Sequence, residues 1–427
     1  MNGNDPAFFE ARRHTKDERR PKDVRTEYQR DKARIIHSAA FRRLQGKTQV
    51  MGVGEGDFHR TRLTHSIECA QIGSGLLQVV QDSQVPESLA GLMPDRDLIE
   101  GACFAHDLGH PPYGHGGERA LYAEMREWGG FEGNAHTLRI VSRLEKYQAK
   151  GRGINPTRRL VLAILKYPIP YGMFNLTNHE VKPPKCYFED EQDVVAWALE
   201  GFSNEERDLL LEQNEKGRAK HRSFDSYLME LADDIAYGIH DIEDIVARKL
   251  SDKEAIERAI DLAFDQVGGS IGKEPSIDAK KINRGFFAGS FERKQTISCL
   301  VNLFVTSVQI SSVSGFAHPL LSYRVHLPDM HQVLLRALQD LSFELVIGQA
   351  KVQQLEQRGQ RVVADIFRAM LKDPKVLIPT ESWKDAEDDA CVARRVCDYV
   401  AGMTDGYAEK VYRRMFIPGF GSSRDEL

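Results

Sequence analysis

The chain lacks the marks of several protein classes. None of its six cysteines forms a CxxC pair, and the closest two, Cys391 and Cys397, have no nearby histidine partners. That argues against a zinc knuckle, and thiols so scattered read as reduced and cytosolic rather than as a disulfide framework. No uninterrupted apolar stretch reaches the ~18 residues of a membrane span. The N-terminal run MNGNDPAFFEARRHTKDERR is charged and holds no apolar signal core. A formal charge of -5 argues against a wholly basic nucleic-acid binder. Strand signals are weak and short, and there is no fixed-period repeat or low-complexity tract. With 41% hydrophobic and 28% charged residues among 427, the composition is that of a globular chain able to bury a sizeable core. It is expected to meet soluble substrates in the cytoplasm.

Helical periodicity dominates what is present. Residues 1–27 are polar, rich in Arg, Lys and Asp, and read as a mobile or partner-packed arm. From Tyr28, the apolar Ile35, Ile36, Ala39, Ala40 and Leu44 recur at the spacing of a buried helical face. Further helices are expected over 61–81, 96–104, 118–127, 134–147 and 224–250, with long patterns around 290–312 and 329–371. Gly109-His110-Pro111-Pro112 is a strong helix stop. Residues 168–188 and 266–284 read as loops. The expected class is all-α, with a catalytic domain over 28–265 and a helical C-terminal region over 266–427 packed on it.

The densest chemistry lies in His106-Asp107-Leu-Gly-His110-Pro-Pro-Tyr-Gly-His115-Gly-Gly-Glu118. Adjacent residues on a helix point about 100° apart, so His106 and Asp107 can share one ion only at a helix edge. The Gly-Pro break supplies that edge. Imidazole and carboxylate ligands suit Mn²⁺, Fe²⁺, Ni²⁺, Zn²⁺ or Mg²⁺, and the absence of thiolates argues against structural zinc. His65, in Arg-Thr-Arg-Leu-Thr-His-Ser-Ile-Glu, reads by itself more readily as a core histidine than as a ligand. Asp233, Tyr237 and Asp241 fall at i, i+4 and i+8, on one face spanning roughly 12 Å. Acidic groups on an otherwise apolar face must be paired or must bind something. A solvated acidic face is the alternative, since His240 and Asp244 fall near it.

Together these runs resemble the bacterial deoxyguanosine triphosphate triphosphohydrolases of the HD superfamily. The resemblance rests on Phe41-Arg-Arg-Leu-Gln-Gly-Lys-Thr-Gln-Val, Arg60-Thr-Arg-Leu-Thr-His-Ser-Ile-Glu and the His106-to-Glu118 segment. Phe131-Glu-Gly-Asn-Ala-His, Ala232-Asp-Asp-Ile-Ala-Tyr and Ala401-Gly-Met-Thr-Asp look like further signatures. His136 departs from the family, whose members usually carry Gln there. The resemblance implies an all-helical HD-domain fold with a helical C-terminal extension. It places the ligands of one divalent ion per subunit, Mn²⁺ first among the candidates, on His65, His106, Asp107 and Asp233. The catalytic His and its supporting acid fall on His115 and Glu118. A more distant vertebrate relative, the dNTP hydrolase with SAM and HD domains, suggests that Arg62 and His110 contact phosphate. It also places Tyr237 beside the phosphates and sugar, Gln49 and Asp241 near the 3′-OH, and Val50 under the sugar ring.

The activity implied is hydrolysis of dGTP or several dNTPs to deoxynucleoside and intact triphosphate. The departing 5′-oxygen needs a proton, and His115 is the expected donor, with Glu118 holding its tautomer. The opposite role, His115 as base toward water, stays open. Another HD enzyme, such as a cyclic-nucleotide or alarmone phosphodiesterase, would use the same metal site. A non-enzymatic sensor would be expected to lose ligands or His115, which are all retained. The resemblance further implies a homo-oligomer, a hexamer or a related even-numbered assembly. The stretch Arg12–Lys47 holds thirteen Lys or Arg against five Asp or Glu. It could contact the phosphates of a nucleotide or of single-stranded DNA, or be a solvated arm on a neighbouring subunit. Allosteric binding of a nucleotide is a further possibility.

Overall fold

Side-chain caps set where the principal helices begin. Thr26, Thr61, Asp95, Thr157 and Ser223 each accept a backbone N–H of the turn that follows. Such a cap satisfies a donor with no partner inside the helix. They open α1 (Glu27–Ile36), α2 (Arg62–Gln81), α3 (Arg96–Ala105), α6 (Arg158–Ile164) and α7 (Phe224–Ala247). Between α3 and α6 lie α4 (Gly114–Met125) and α5 (Gly133–Arg139). The C-terminal part carries α8 (Asp329–Ser342), α9 (Ala350–Lys372), α10 (Asp389–Ala401) and α11 (Asp405–Phe416). The computed structural model describes residues 5–14, 21–49, 60–147, 153–174, 182–272, 276–380 and 388–421. Among the described residues the architecture is all-helical apart from two small antiparallel pairs. These are β1 (Ser270–Ile271) with β2 (Ile277–Asp278), and β3 (Gln309–Ser312) with β4 (Tyr323–His326), Gln309 facing His326.

Among the described residues two large hydrophobic cores form, beside a small cluster of Tyr167, Ile169 and Ala219. The larger is built on α2, α3, α6 and α7, with α8 and the helix Ser290–Thr306 closing over it. The smaller joins α4 and Phe131 to α9, α10 and α11. Both cores draw on residues from each side of residue 265: α4 packs with the C-terminal helices and α8 with the N-terminal ones. Part of residues 1–27 packs on the rest of the chain. Phe9 is fully buried, against Phe202 and His318, and Arg12 reaches Asp31 and Glu27. The pattern from Tyr28 is broken at Ser38, which caps a second short helix, Ala39–Arg43. Residues 309–312 form strand β3 rather than the end of a helix, and 279–284 are helical rather than loop. No described helix is long and apolar enough to cross a membrane.

Candidate metal centre

His65 sits one turn inside α2, His106 and Asp107 at the end of α3, and Asp233 in the middle of α7. The larger core presses these three helices together, which brings the four residues into one place. Ligand atoms of His65, His106 and Asp107 lie within 4.8 Å of one another. Asp233 Oδ1 lies 3.0 Å from His65 Nε2 and 3.5 Å from His106 Nε2. His106 Nδ1 is 2.6 Å from the Cys103 carbonyl, so Nδ1–H donates there and the Nε2 lone pair is left facing the carboxylates. That is the tautomer a metal-ligating imidazole uses. His106 Nε2 and His65 Nδ1 are buried without a hydrogen-bond partner among the described residues.

The electrostatics favour a cation at this point. Burial pushes His106 down, but Asp107 and Asp233 outweigh it and raise its pKa to about 10. Burial likewise opposes ionisation of Asp107 and Asp233, yet both stay well below the usual carboxylate range. His110, Arg62 and His106 hold Asp107 there, and His106 and Lys166 hold Asp233. A field that draws a proton to His106 Nε2 draws a divalent ion to the same point. Arg62 Nη1 donates to Asp107 Oδ2 at 2.8 Å, and Lys166 Nζ lies 3.5 Å from Asp233 Oδ2. His110 Nδ1 stands 2.9 Å from Asp107 Oδ1, and burial beside Arg62 lowers its pKa to about 4, leaving it neutral at physiological pH.

The segment after Asp107 is held by close approach. A Cβ on Gly109 would stand 2.0 Å from the Gly133 carbonyl, and one on Gly117 2.0 Å from the Pro112 carbonyl. Only glycine fits at either place. α4 starts at Gly114 rather than at Glu118, despite glycine's poor helix propensity. The earlier start puts His115 and Glu118 at i and i+3 on one helical turn. Glu118 Oε2 accepts from His115 Nδ1 at 3.1 Å, while Glu118 Oε1 accepts from Gly133 N at 2.8 Å. The His115 side chain is 67% exposed, so its Nε2 side is open to a ligand, and its ring centroid is 5.6 Å from that of His110. Lys185 was not anticipated. Its Nζ lies 2.6 Å from Glu132 Oε1 and 3.8 Å from Glu118 Oε1. Burial opposes ionisation of Glu118, but Lys185 and His115 keep it well below its ordinary range, so it accepts only.

The remaining expected site residues are placed unevenly. Tyr237 and Asp241 share the Asp233 face of α7, but Asp241 is ion-paired to Arg60 at 2.7 Å. Gln49 Oε1 is buried without a hydrogen-bond partner among the described residues. Val50 lies outside the described residues. His136 is buried, with Nδ1 3.1 Å from the Gly109 carbonyl and Nε2 3.6 Å from Asp398. It braces the turn after Asp107.

Helices converging two histidines and two carboxylates at a helix edge are the arrangement of an HD-domain hydrolase. The HD domain model matches residues 62–167, which span three of the four clustered residues and the His115–Glu118 pair. The phosphohydrolase-associated domain model matches residues 325–414. HD domains bind divalent metals, and this cluster can hold one. Curated relatives extend the match along the chain. A deoxyguanosinetriphosphate triphosphohydrolase-like protein 2 of Deinococcus radiodurans is 42% identical over 420 residues, covering 94% of this chain and 95% of the relative. Deoxyguanosinetriphosphate triphosphohydrolase-like proteins of Shewanella baltica (98% of each chain) and Actinobacillus succinogenes (93% and 96%) are both 40% identical. The chain belongs to the deoxyguanosinetriphosphate triphosphohydrolase-like family.

Proposed function

We propose that this hydrolase is a metal-dependent dNTP triphosphohydrolase, cleaving dGTP or several dNTPs to deoxynucleoside and intact triphosphate. The observation that carries the reading is the meeting of the His65–His106–Asp107–Asp233 cluster with the fixed cations Arg62 and Lys166. Two carboxylates and two cations cancel, so a divalent ion would leave the site with surplus positive charge, which suits a triphosphate. Bound there, the ion would neutralise charge on the α-phosphate and lower the pKa of a water; Mn²⁺ is the first candidate, before Mg²⁺, Fe²⁺, Ni²⁺ or Zn²⁺. His115 donates a proton to the departing 5′-oxygen. Glu118, held ionised by Lys185, keeps the His115 Nδ1–H directed at itself and leaves Nε2–H of the imidazolium for the substrate. Arg62 and His110 contact phosphate. Gln49, Val50 and Tyr237 wall the sugar where a 2′-OH would sit, with Asp241 near the 3′-OH. The enzyme works in the cytoplasm as an even-numbered homo-oligomer, a hexamer being the first candidate.

Purified, metal-loaded protein is assayed against the four dNTPs and GTP with products resolved. Triphosphate with deoxynucleoside, and little product from GTP, is expected; pyrophosphate with a nucleoside monophosphate would refute the reading. His115→Ala keeps metal and loses about 10²–10⁴-fold in turnover. Loss of metal in that variant would make His115 a ligand instead.

A further inference from the structure

The proposed mechanism leaves the Ala401-Gly-Met-Thr-Asp405 run without a use. The fold brings it to the active-site seam. Asp405 is buried at the start of α11, and its carboxylate bonds two segments that are distant in sequence. Oδ1 accepts from the Tyr113 backbone N–H at 2.9 Å. Oδ2 accepts from the Thr48 backbone N–H at 3.0 Å and from the Thr48 hydroxyl. Lys47 ties the same parts together: its Nζ donates to the His110 carbonyl at 2.5 Å and to the Ala401 carbonyl at 3.0 Å. At Gly46 a Cβ would meet the Thr404 side chain at 2.9 Å, so the two runs touch along their length.

Both segments border the site. Tyr113 precedes the Gly114–His115 start of α4, and it has φ +61°, a left-handed conformation that a bulky residue rarely adopts. Such a peptide persists only when its surroundings hold it, and the Asp405 carboxylate bonds its N–H directly. Thr48 is next to Gln49, whose buried Oε1 has no hydrogen-bond partner among the described residues.

We infer that Asp405 is a positioning residue: one carboxylate of the C-terminal region fixes the His115 segment and the Gln49 segment relative to each other across the substrate. The inference rests on the dNTP-hydrolase reading for its kinetic consequence, but the clamp itself can be observed without activity. Asparagine at 405 has nearly the same shape. Its amide offers one acceptor, and its NH₂ would confront an N–H donor at either Tyr113 or Thr48.

The full-length, metal-loaded Asp405→Asn variant is compared with the unaltered protein by hydrogen exchange, metal content, thermal melting and kinetics. Faster exchange confined to 44–49 and 110–118, unchanged metal content, and kcat lowered at least about tenfold with a raised KM support the clamp. Thr48→Val, a milder change should the first variant fail to fold, loses one bond on the Gln49 side only. It raises KM proportionally more than it lowers kcat, with faster exchange in 44–49 alone. Unchanged exchange in both segments, or local loosening with native kinetics, overturns the inference. So does loosening spread over the whole chain, which would make Asp405 merely structural. Local loosening in a protein inactive on every dNTP sustains the clamp and removes the dNTP reading instead.

Discussion

Lys185→Met isolates the charge chain behind His115. Lys185 stands between Glu132, which is fully buried, and Glu118, 2.6 and 3.8 Å away. Removing one partner of a buried ion pair costs about 3–5 kcal/mol, because the remaining charge stays buried. Glu132 keeps two other donors, Ala135 N at 2.8 Å and Asn134 Nδ2 at 2.7 Å, so the low end, about 3 kcal/mol, applies here. With an unfolding entropy near 2.1 cal/mol/K per residue, that is a fall in Tm of about 3 °C. Lys185→Met/Glu132→Gln removes the orphaned charge and recovers more than half of the loss. A second effect falls on pH. Glu118 lies well below its ordinary 4.5, so its contribution to stability is present above 4.5 and is lost only as pH falls far below that. Without Lys185 its folded pKa rises, and the acid limbs of both stability and turnover move to higher pH. Thermal melts over pH 3–8 and pH–rate profiles measure the two effects. Equal Tm losses in single and double variants, with an unmoved acid limb, would refute the coupling.

Gly109→Ala puts a methyl 2.0 Å from the Gly133 carbonyl and 2.3 Å from Thr137 N, both backbone atoms that cannot rotate away. A loss of about 3 kcal/mol in denaturant melts is expected, with turnover down on the order of 10²-fold as Asp107 shifts; near-native values for both would contradict the turn geometry. Lys47, pushed down to about 7 by burial from its ordinary 10.5, is charged in the unfolded chain but neutral in the fold between those values. Stability therefore gains as pH rises from about 7 to 10.5, by at most about 1.4 kcal/mol per pH unit, and Lys47→Met flattens that slope in paired melts. His106→Ala loses bound metal and activity together by elemental analysis and assay, and chelation lowers the Tm of the unaltered protein but not of this variant. An Asp107→Ala protein with full metal and full turnover would remove the ligand set altogether.

The site was legible where chemistry is crowded in sequence and dark where it is assembled across the chain. His106, Asp107, His115 and Glu118 fall within thirteen residues, among glycines and prolines that no ordinary helix tolerates. Asp233, Tyr237 and Asp241 were readable because helical spacing puts them on one face. His65 was ambiguous, since a single buried histidine has no local signature; only the fold brings it to within 3.0 Å of Asp233, 168 residues away. Lys166 and Lys185 carry no periodic signal. The second lies in a stretch that reads as loop, and each meets its carboxylate through the fold alone. Asp405 is 357 residues from Thr48, and no spacing rule reaches so far. The all-helical class followed from periodicity, whereas the early start of α4 did not. Its glycines are poor helix formers, kept because Pro112 and Glu356 leave no room for a side chain.

The division between the two cores explains why the turn from Asp107 to Gly114 is so heavily bonded. His65, His106, Asp107 and Asp233 stand on or at the end of helices of the larger core, while His115 and Glu118 stand on a helix of the smaller one. Each core can be rigid and still leave their relative placement free, and a displacement of about 1 Å at a reacting centre costs on the order of 10²-fold. The connecting turn must therefore be tied to elements beyond itself. The Thr137 hydroxyl donates to the His106 carbonyl at 3.1 Å and accepts from Gly109 N at 2.9 Å. His136 holds the Gly109 carbonyl and reaches Asp398 on α10, and Lys47 holds the His110 carbonyl. Asp405 then secures the Tyr113 N–H. Four of the peptide units between Asp107 and Gly114 are thus bonded to groups beyond the turn. This sets the His65–His106–Asp107–Asp233 cluster and His115 at one separation even though they belong to different cores.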